Sequence, residues 1–159
     1  PKNKKGMSPE VYKIGCLGKI VSFNETEDKR FIISLSGIIR FRIKNEITKE
    51  KMYRNFEVDY SEFLNDLEEK KNQIENYDKK NLVNKIKVFF NKINYPIDFN
   101  ELVKLDSDQL VNTVSMISPF SVEEKQKLVE TINIDDKIKI LSEIISFNLI
   151  DFEENKTVQ

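Results

Sequence analysis

No histidine and no tryptophan occur among the 159 residues, and cysteine occurs once, as Cys16. Without histidine the chain lacks the commonest general base and metal ligand, and every Ser-His-Asp arrangement is excluded. One cysteine without histidine also excludes the usual zinc sites, and a lone thiol closes no internal disulfide. Cys16 lies in an alternating segment and reads as a small packed residue rather than a nucleophile, because a nucleophilic thiolate needs an activating base. Glycine is scarce, at four residues, and no phosphate-binding glycine motif occurs; the run Gly15–Lys19 has the wrong spacing and strand context. No apolar run approaches the ~20 residues of a membrane span, and no signal peptide is visible. A cytoplasmic, non-enzymatic chain without cofactor, metal or membrane partner is the expectation.

What is present is charge and apolar pattern. The chain is 39% apolar and 33% charged, with 11 Phe, a globular composition. The net charge of −1 is unevenly spread: residues 1–60 sum to +5 and residues 61–159 to −6. A change of pattern falls at the same place, so two parts are expected. Pro1–Ser8 is polar and turn-like, with no initiator Met, and reads as the start of a fragment.

Residues 11–60 alternate with a period of two, which predicts half-buried antiparallel strands near 11–16, 17–25, 31–36, 38–47 and 53–60. Leu17, Lys19, Val21 and Phe23 are expected on one side, with Gly18, Ile20, Ser22 and Asn24 on the other. Phe31, Ile33 and Leu35 share a face. The polar stretch 24–30 lacks glycine, so a longer hairpin loop is expected there rather than a two-residue turn. Gly15, Gly18 and Gly37 are expected to mark bulges or corners. Residues 61–77 read as a linker or connecting helix.

From residue 78 the period becomes helical. Leu82, Val83, Ile86, Phe89, Phe90 and Ile93 form one stripe, which Pro96 is expected to end. A second helix begins at Asp106, with Gln109 as capping-box partner, and a third at Ser121, with Glu124 in that role. A last helix begins near Asp135 and carries Ile138, Leu141, Ile144, Ile145 and Leu149, with Ile140 and Phe147 widening its apolar surface. Residues 78–152 are thus a helical bundle, and 153–159 a frayed tail. The carboxylate pairs Glu123–Glu124 and Asp135–Asp136 sit in helix first turns, where they favour the macrodipole, rather than forming a catalytic dyad.

Arg40, Arg42 and Lys44 share one strand face by alternation. They are a speculative binding face for phosphate or an acidic peptide; the plainer account is a solvated face with cross-strand partners such as Glu57 and Asp59. The interleaved Phe41 points away, so no base-stacking platform forms.

The strings Tyr12–Ile20 (YKIGCLGKI) and Leu35–Ile43 (LSGIIRFRI) resemble the substrate-binding domain at the N-terminus of Lon proteases, closer still to its stand-alone bacterial forms without ATPase and peptidase parts. Gly15, Cys16, Gly18, Lys19 and Ile20 match one motif, and Leu35, Gly37, Arg40, Phe41, Arg42 and Ile43 a second. Pro119-Phe120 and Glu124–Glu130 resemble the helical half, and the likeness spans about residues 11–150. The resemblance implies an α+β fold: a PUA-like antiparallel or mixed β-barrel or curled sheet, followed by an α-helical bundle. It implies recognition of unfolded polypeptide, with an RNA-binding PUA-like module as the alternative. Gly15, Gly18, Gly37, Arg40 and Phe41 are implied to be structural, with Arg40 in an internal ion pair. Family members open with a strand, loop and amphipathic helix not seen here, so an incomplete barrel is expected, with exposed edges that a homo-oligomer could pair.

Overall fold

The computed structural model describes residues 9–47, 52–68 and 79–154. The chain divides into two compact units, Pro1–Glu69 and Lys70–Gln159.

The first unit holds β1 (Ile14–Glu25), β2 (Phe31–Ile47) and β3 (Asn55–Asp59), followed by a 3-10 helix, Ser61–Leu67. The strands form one antiparallel sheet in the order β1-β2-β3, open rather than closed into a barrel. Two long strands, β1 and β2, thus replace the first four short ones expected, because neither Gly15, Gly18 nor Gly37 turns the chain, and the five-residue β3 falls within the fifth. Register shifts between Leu17 and Gly18 and between Ile20 and Ser22 absorb the irregularity instead. A bulge inserts an extra residue and lets the ladder continue. The hairpin turns at Glu27–Lys29: Lys29 N–H donates to Thr26 O at 2.9 Å and Thr26 N–H to Arg30 O at 2.8 Å. Lys29 takes a positive φ of 62°, a geometry that lets a short loop rejoin the ladder without glycine strictly required.

The core of this unit is small. Ile14, Ile39 and Phe63 are its buried apolar residues among those described. Phe63 comes from the stretch read as linker, whose residues 61–67 form the 3-10 helix, kinked at Phe63; residues 69–77 of that stretch lie outside the described residues.

The second unit holds α1 (Lys79–Lys92), α2 (Phe99–Lys104), α3 (Ser107–Ile117), α4 (Val122–Glu130) and α5 (Ile134–Glu154). Its core joins Leu82, Ile86, Phe89 and Phe90 of α1 to Val111 and Val114 of α3, Leu128 of α4, and Ile138, Leu141 and Ile145 of α5. α1 ends before Pro96 acts. Asn94 takes φ 52°, Tyr95 N–H donates to Phe90 O and Asn94 N–H to Asn91 O, and the Phe90 and Tyr95 rings pack at 5.5 Å. That is a left-handed helix cap with its hydrophobic contact. α2 was not expected; Asp98 caps it by accepting from Asn100 and Glu101 N–H. Asp106 caps α3 through Gln109 N–H, and Ser121 with Glu124 forms a complete capping box on α4. α5 packs on α1, α3 and α4, but Phe147 is 69% exposed and so takes no part in the core.

Candidate functional site

Cross-strand partners project from the same side of a sheet, so the register assigns two faces to the β1–β2 hairpin. The pairs Ile20–Leu35, Phe23–Ile33 and Glu25–Phe31 lie on one face, and Lys19–Ser36, Ser22–Ser34 and Asn24–Ile32 on the other. The first face is therefore apolar in the outer half of the hairpin and the second mostly polar. The extra residue at Val21 moves Ile20 onto the side of Phe23, against the strict alternation expected from the sequence.

Among the described residues of this unit nothing covers this apolar face. Ile20, Phe23, Phe31, Ile33 and Leu35 are 48–65% exposed, and the rings of Phe23 and Phe31 stack at 4.8 Å. Scattered exposed apolar residues are ordinary, but a contiguous set on one rigid element marks an interaction surface. The alternation of Phe31, Ile33 and Leu35 was legible; their union with Ile20 and Phe23 was not, because a bulge leaves no mark in the period of the sequence.

Nearer the base the same face is roofed. Cys16 pairs with Arg40 and Ile14 with Arg42, and both arginines meet the 3-10 helix. Arg40 donates to Asp66 from Nε at 2.8 Å, Nη2 at 2.7 Å and backbone N at 3.1 Å. Its guanidinium lies 4.8 Å from the Phe63 ring centre. Arg42 donates to both Glu62 oxygens, at 2.6 and 2.7 Å. Lys44 pairs with Asp59 at 3.1 Å. Glu57 instead accepts from Asn45. The cations of the Arg40, Arg42 and Lys44 face thus point at carboxylates of their own unit. The Ser61 backbone N–H and then Lys44 hold the Asp59 carboxyl down to about 2, and the Arg42 guanidinium lowers Glu62.

Phe41 faces Gly15, where a Cβ would stand 2.8 Å from its ring, and meets Tyr60 edge-on at 6.1 Å. A Gly18 Cβ would meet Leu35 at an ordinary 3.6 Å, and a Gly37 Cβ would lie 3.3 Å from the Cys16 sulfur. Cys16 itself is exposed, against the packed position expected.

In the helical unit, a shallow cleft is lined by Asn81, Lys85, Ile138, Lys139, Ser142 and Glu143. Lys139 is exposed and paired with Asp136, so this residue is not the desolvated lysine that amine chemistry uses. Among the described residues there is no group of three or more potential metal ligands, and no helix is long and apolar enough to cross a membrane.

The sequence profile of the ATP-dependent protease La (LON) substrate-binding domain matches residues 1–146. Among solved structures, the N-terminal domain of Mycobacterium avium complex Lon protease is similar, with a TM-score of 0.54 and 18% identity. The similarity covers 88% of this chain and 73% of that one; at this identity it speaks for the fold. No curated protein sequence matches the chain.

Proposed function

Because the chain belongs to the LON substrate-binding domain family, we propose that it is a non-catalytic module that binds unfolded polypeptide on the outer, apolar face of the β1–β2 hairpin. The observation that carries this reading is the contiguous exposure of Ile20, Phe23, Phe31, Ile33 and Leu35. Unfolded chains differ from folded ones in displaying apolar side chains, and a rigid apolar face gains by covering them. Such binding reads hydrophobicity rather than sequence, as recognition of many clients requires. The RNA alternative needs cations free for phosphate, and the Arg40, Arg42 and Lys44 face spends its charges on Asp66, Glu62 and Asp59.

The test is fluorescence anisotropy with a labelled, reduced and unfolded polypeptide, beside a labelled single-stranded RNA of similar length. Polypeptide binding is expected with Kd on the order of 10 µM and little dependence on salt. Leu35→Asp should weaken it at least ~10-fold, whereas Ser34→Asp on the opposite face should not. No polypeptide binding at ~100 µM, or RNA binding that collapses steeply with salt, overturns the reading.

A further inference from the structure

We propose that the apolar half of the hairpin face seats a second copy of this chain, the two sheets packing face to face about a twofold axis.

Three observations carry it. The first is size. The face is two strands wide and three cross-strand rows long, and its apolar side chains are 48–65% exposed. Taking ~200 Å² for a large apolar side chain, it offers roughly 500 Å², so two copies bury about 1,000 Å² in all. That reaches the threshold of a specific interface, about 1,000 Å². A single extended peptide would cover one strand's width of it.

The second is symmetry of chemistry. The Phe23–Ile33 row is central, with Ile20–Leu35 on one side and Glu25–Phe31 on the other. A twofold axis through the central row lays the Phe31 ring of one copy over Ile20 and Leu35 of its partner. An isologous interface needs this self-complementarity.

The third is that the alternative mode, strand to strand along the β1 edge, is interrupted. The register shift between Ile20 and Ser22 breaks the ladder at the middle of that edge, and Lys19 stands beside it. Bulges and edge lysines are the usual devices against edge pairing. Packing through the face leaves both edges as they are.

The inference uses the same side chains as the polypeptide reading but does not rest on it. A copy and a client would exclude each other there.

The experiment is sedimentation velocity of the full chain from ~1 to ~200 µM, a range that brackets a modest interface. A reversible monomer–dimer equilibrium is expected. Ile33→Lys should weaken it at least ~10-fold and Leu35→Ser by several-fold, while Ser34→Lys on the polar face leaves it unchanged. Unchanged circular dichroism and melting separate lost association from lost folding. A monomer throughout, open-ended oligomers, or a dimer indifferent to Ile33→Lys overturns the proposal. Anisotropy separates the two readings: dimers without polypeptide binding defeat the polypeptide reading alone, and polypeptide binding by a strict monomer defeats this one alone.

Discussion

Arg40 and Asp66, 26 positions apart, form a bidentate pair with a third bond from the Arg40 backbone N–H to the same carboxylate. Their side chains are 11% and 18% exposed. The pair pins the 3-10 helix onto β2 and, with it, the buried Phe63 ring beneath the guanidinium. In a unit with so few buried apolar residues, this contact ties the helix to the sheet.

Breaking one side of the pair should therefore be costly. Asp66→Ala removes the carboxylate that accepts from both the largely buried Arg40 guanidinium and the Arg40 backbone N–H, and about 2–4 kcal/mol is expected for removing one partner of such a pair. Urea unfolding followed by amide exchange in β2 would read it. Asp66→Asn should be intermediate, since it keeps one acceptor and loses the charge. Loss of under ~0.5 kcal/mol for Asp66→Ala would mean that Phe63 and the Arg42–Glu62 pair suffice to hold the helix down.

The acid limb of stability of this unit has a defined sign. Asp59 titrates at about 2 rather than 3.8 because of the Ser61 N–H and Lys44. Glu62 and Glu46 are lowered from 4.5 by Arg42 and Arg54 respectively. Each group is more acidic folded than unfolded, so the unfolded chain takes up protons first as pH falls. The contribution is complete above about pH 5 and is lost on going down through the range to about pH 2. Melting temperature measured from pH 7 to 2 should fall only in that window. Asp59→Asn should flatten its lower end, and a fall that begins near pH 6 would point to other groups.

Much of the helical unit was legible because its information is local. The stripe Leu82, Ile86, Phe89, Phe90 and the Ser121–Glu124 capping box are written within a turn or two of themselves, and each falls where the pattern put it. The Asp98-to-Glu101 spacing carries the same signal for α2, but a helix of six residues is too short to show a helical period. The stop of α1 was assigned to Pro96, whereas Asn94 makes it, since a left-handed asparagine is weaker punctuation on the page than proline. In the β unit the decisive contacts are distant. Nothing in the period of residues 61–67 announces that Asp66 and Glu62 answer Arg40 and Arg42, 26 and 20 positions away. The bulge that joins Ile20 to the face of Phe23 is a property of pairing, invisible in one strand alone.

The glycines of β1 should behave differently from one another. A Cβ at Gly15 would stand 2.8 and 2.9 Å from two Phe41 ring atoms, closer than carbon atoms pack. Gly15→Ala must displace that ring from Tyr60 and is expected to destabilise by about 1–3 kcal/mol. Adding Phe41→Leu should recover part of the loss, a coupling that a double-mutant cycle measures. Gly18→Ala meets only ordinary contact with Leu35. It should be neutral or stabilising by about 0.5–1 kcal/mol, since a strand glycine gives up more backbone entropy on folding. Equal effects at the two positions would contradict the Phe41 geometry.

Glu124 carries two roles that a substitution series can separate. One carboxylate oxygen accepts the Ser121 backbone N–H at 2.7 Å, while Glu124 N–H donates to Ser121 Oγ at 3.1 Å. The other oxygen accepts from Asn148 Nδ2 of α5 at 2.9 Å. Ser121→Ala removes one cap bond and should cost about 1 kcal/mol. Glu124→Ala removes the second cap bond and the link to α5, so about 2 kcal/mol is expected from losing both together. Glu124→Gln keeps the length but turns one acceptor into a donor. Whichever way the amide points, it faces either the Ser121 N–H or the Asn148 amide donor to donor. It should therefore cost nearly as much as Glu124→Ala. Asn148→Asp in the Glu124→Gln background turns that donor into an acceptor and should restore part of the loss, as thermal denaturation of the variants would show. Asn148 Nδ2 also donates to Ile144 O at 2.9 Å, a bond that Asn148→Asp gives up, so the restoration is read against Asn148→Asp alone. No coupling between the two substitutions would mean that the helix cap accounts for the whole effect.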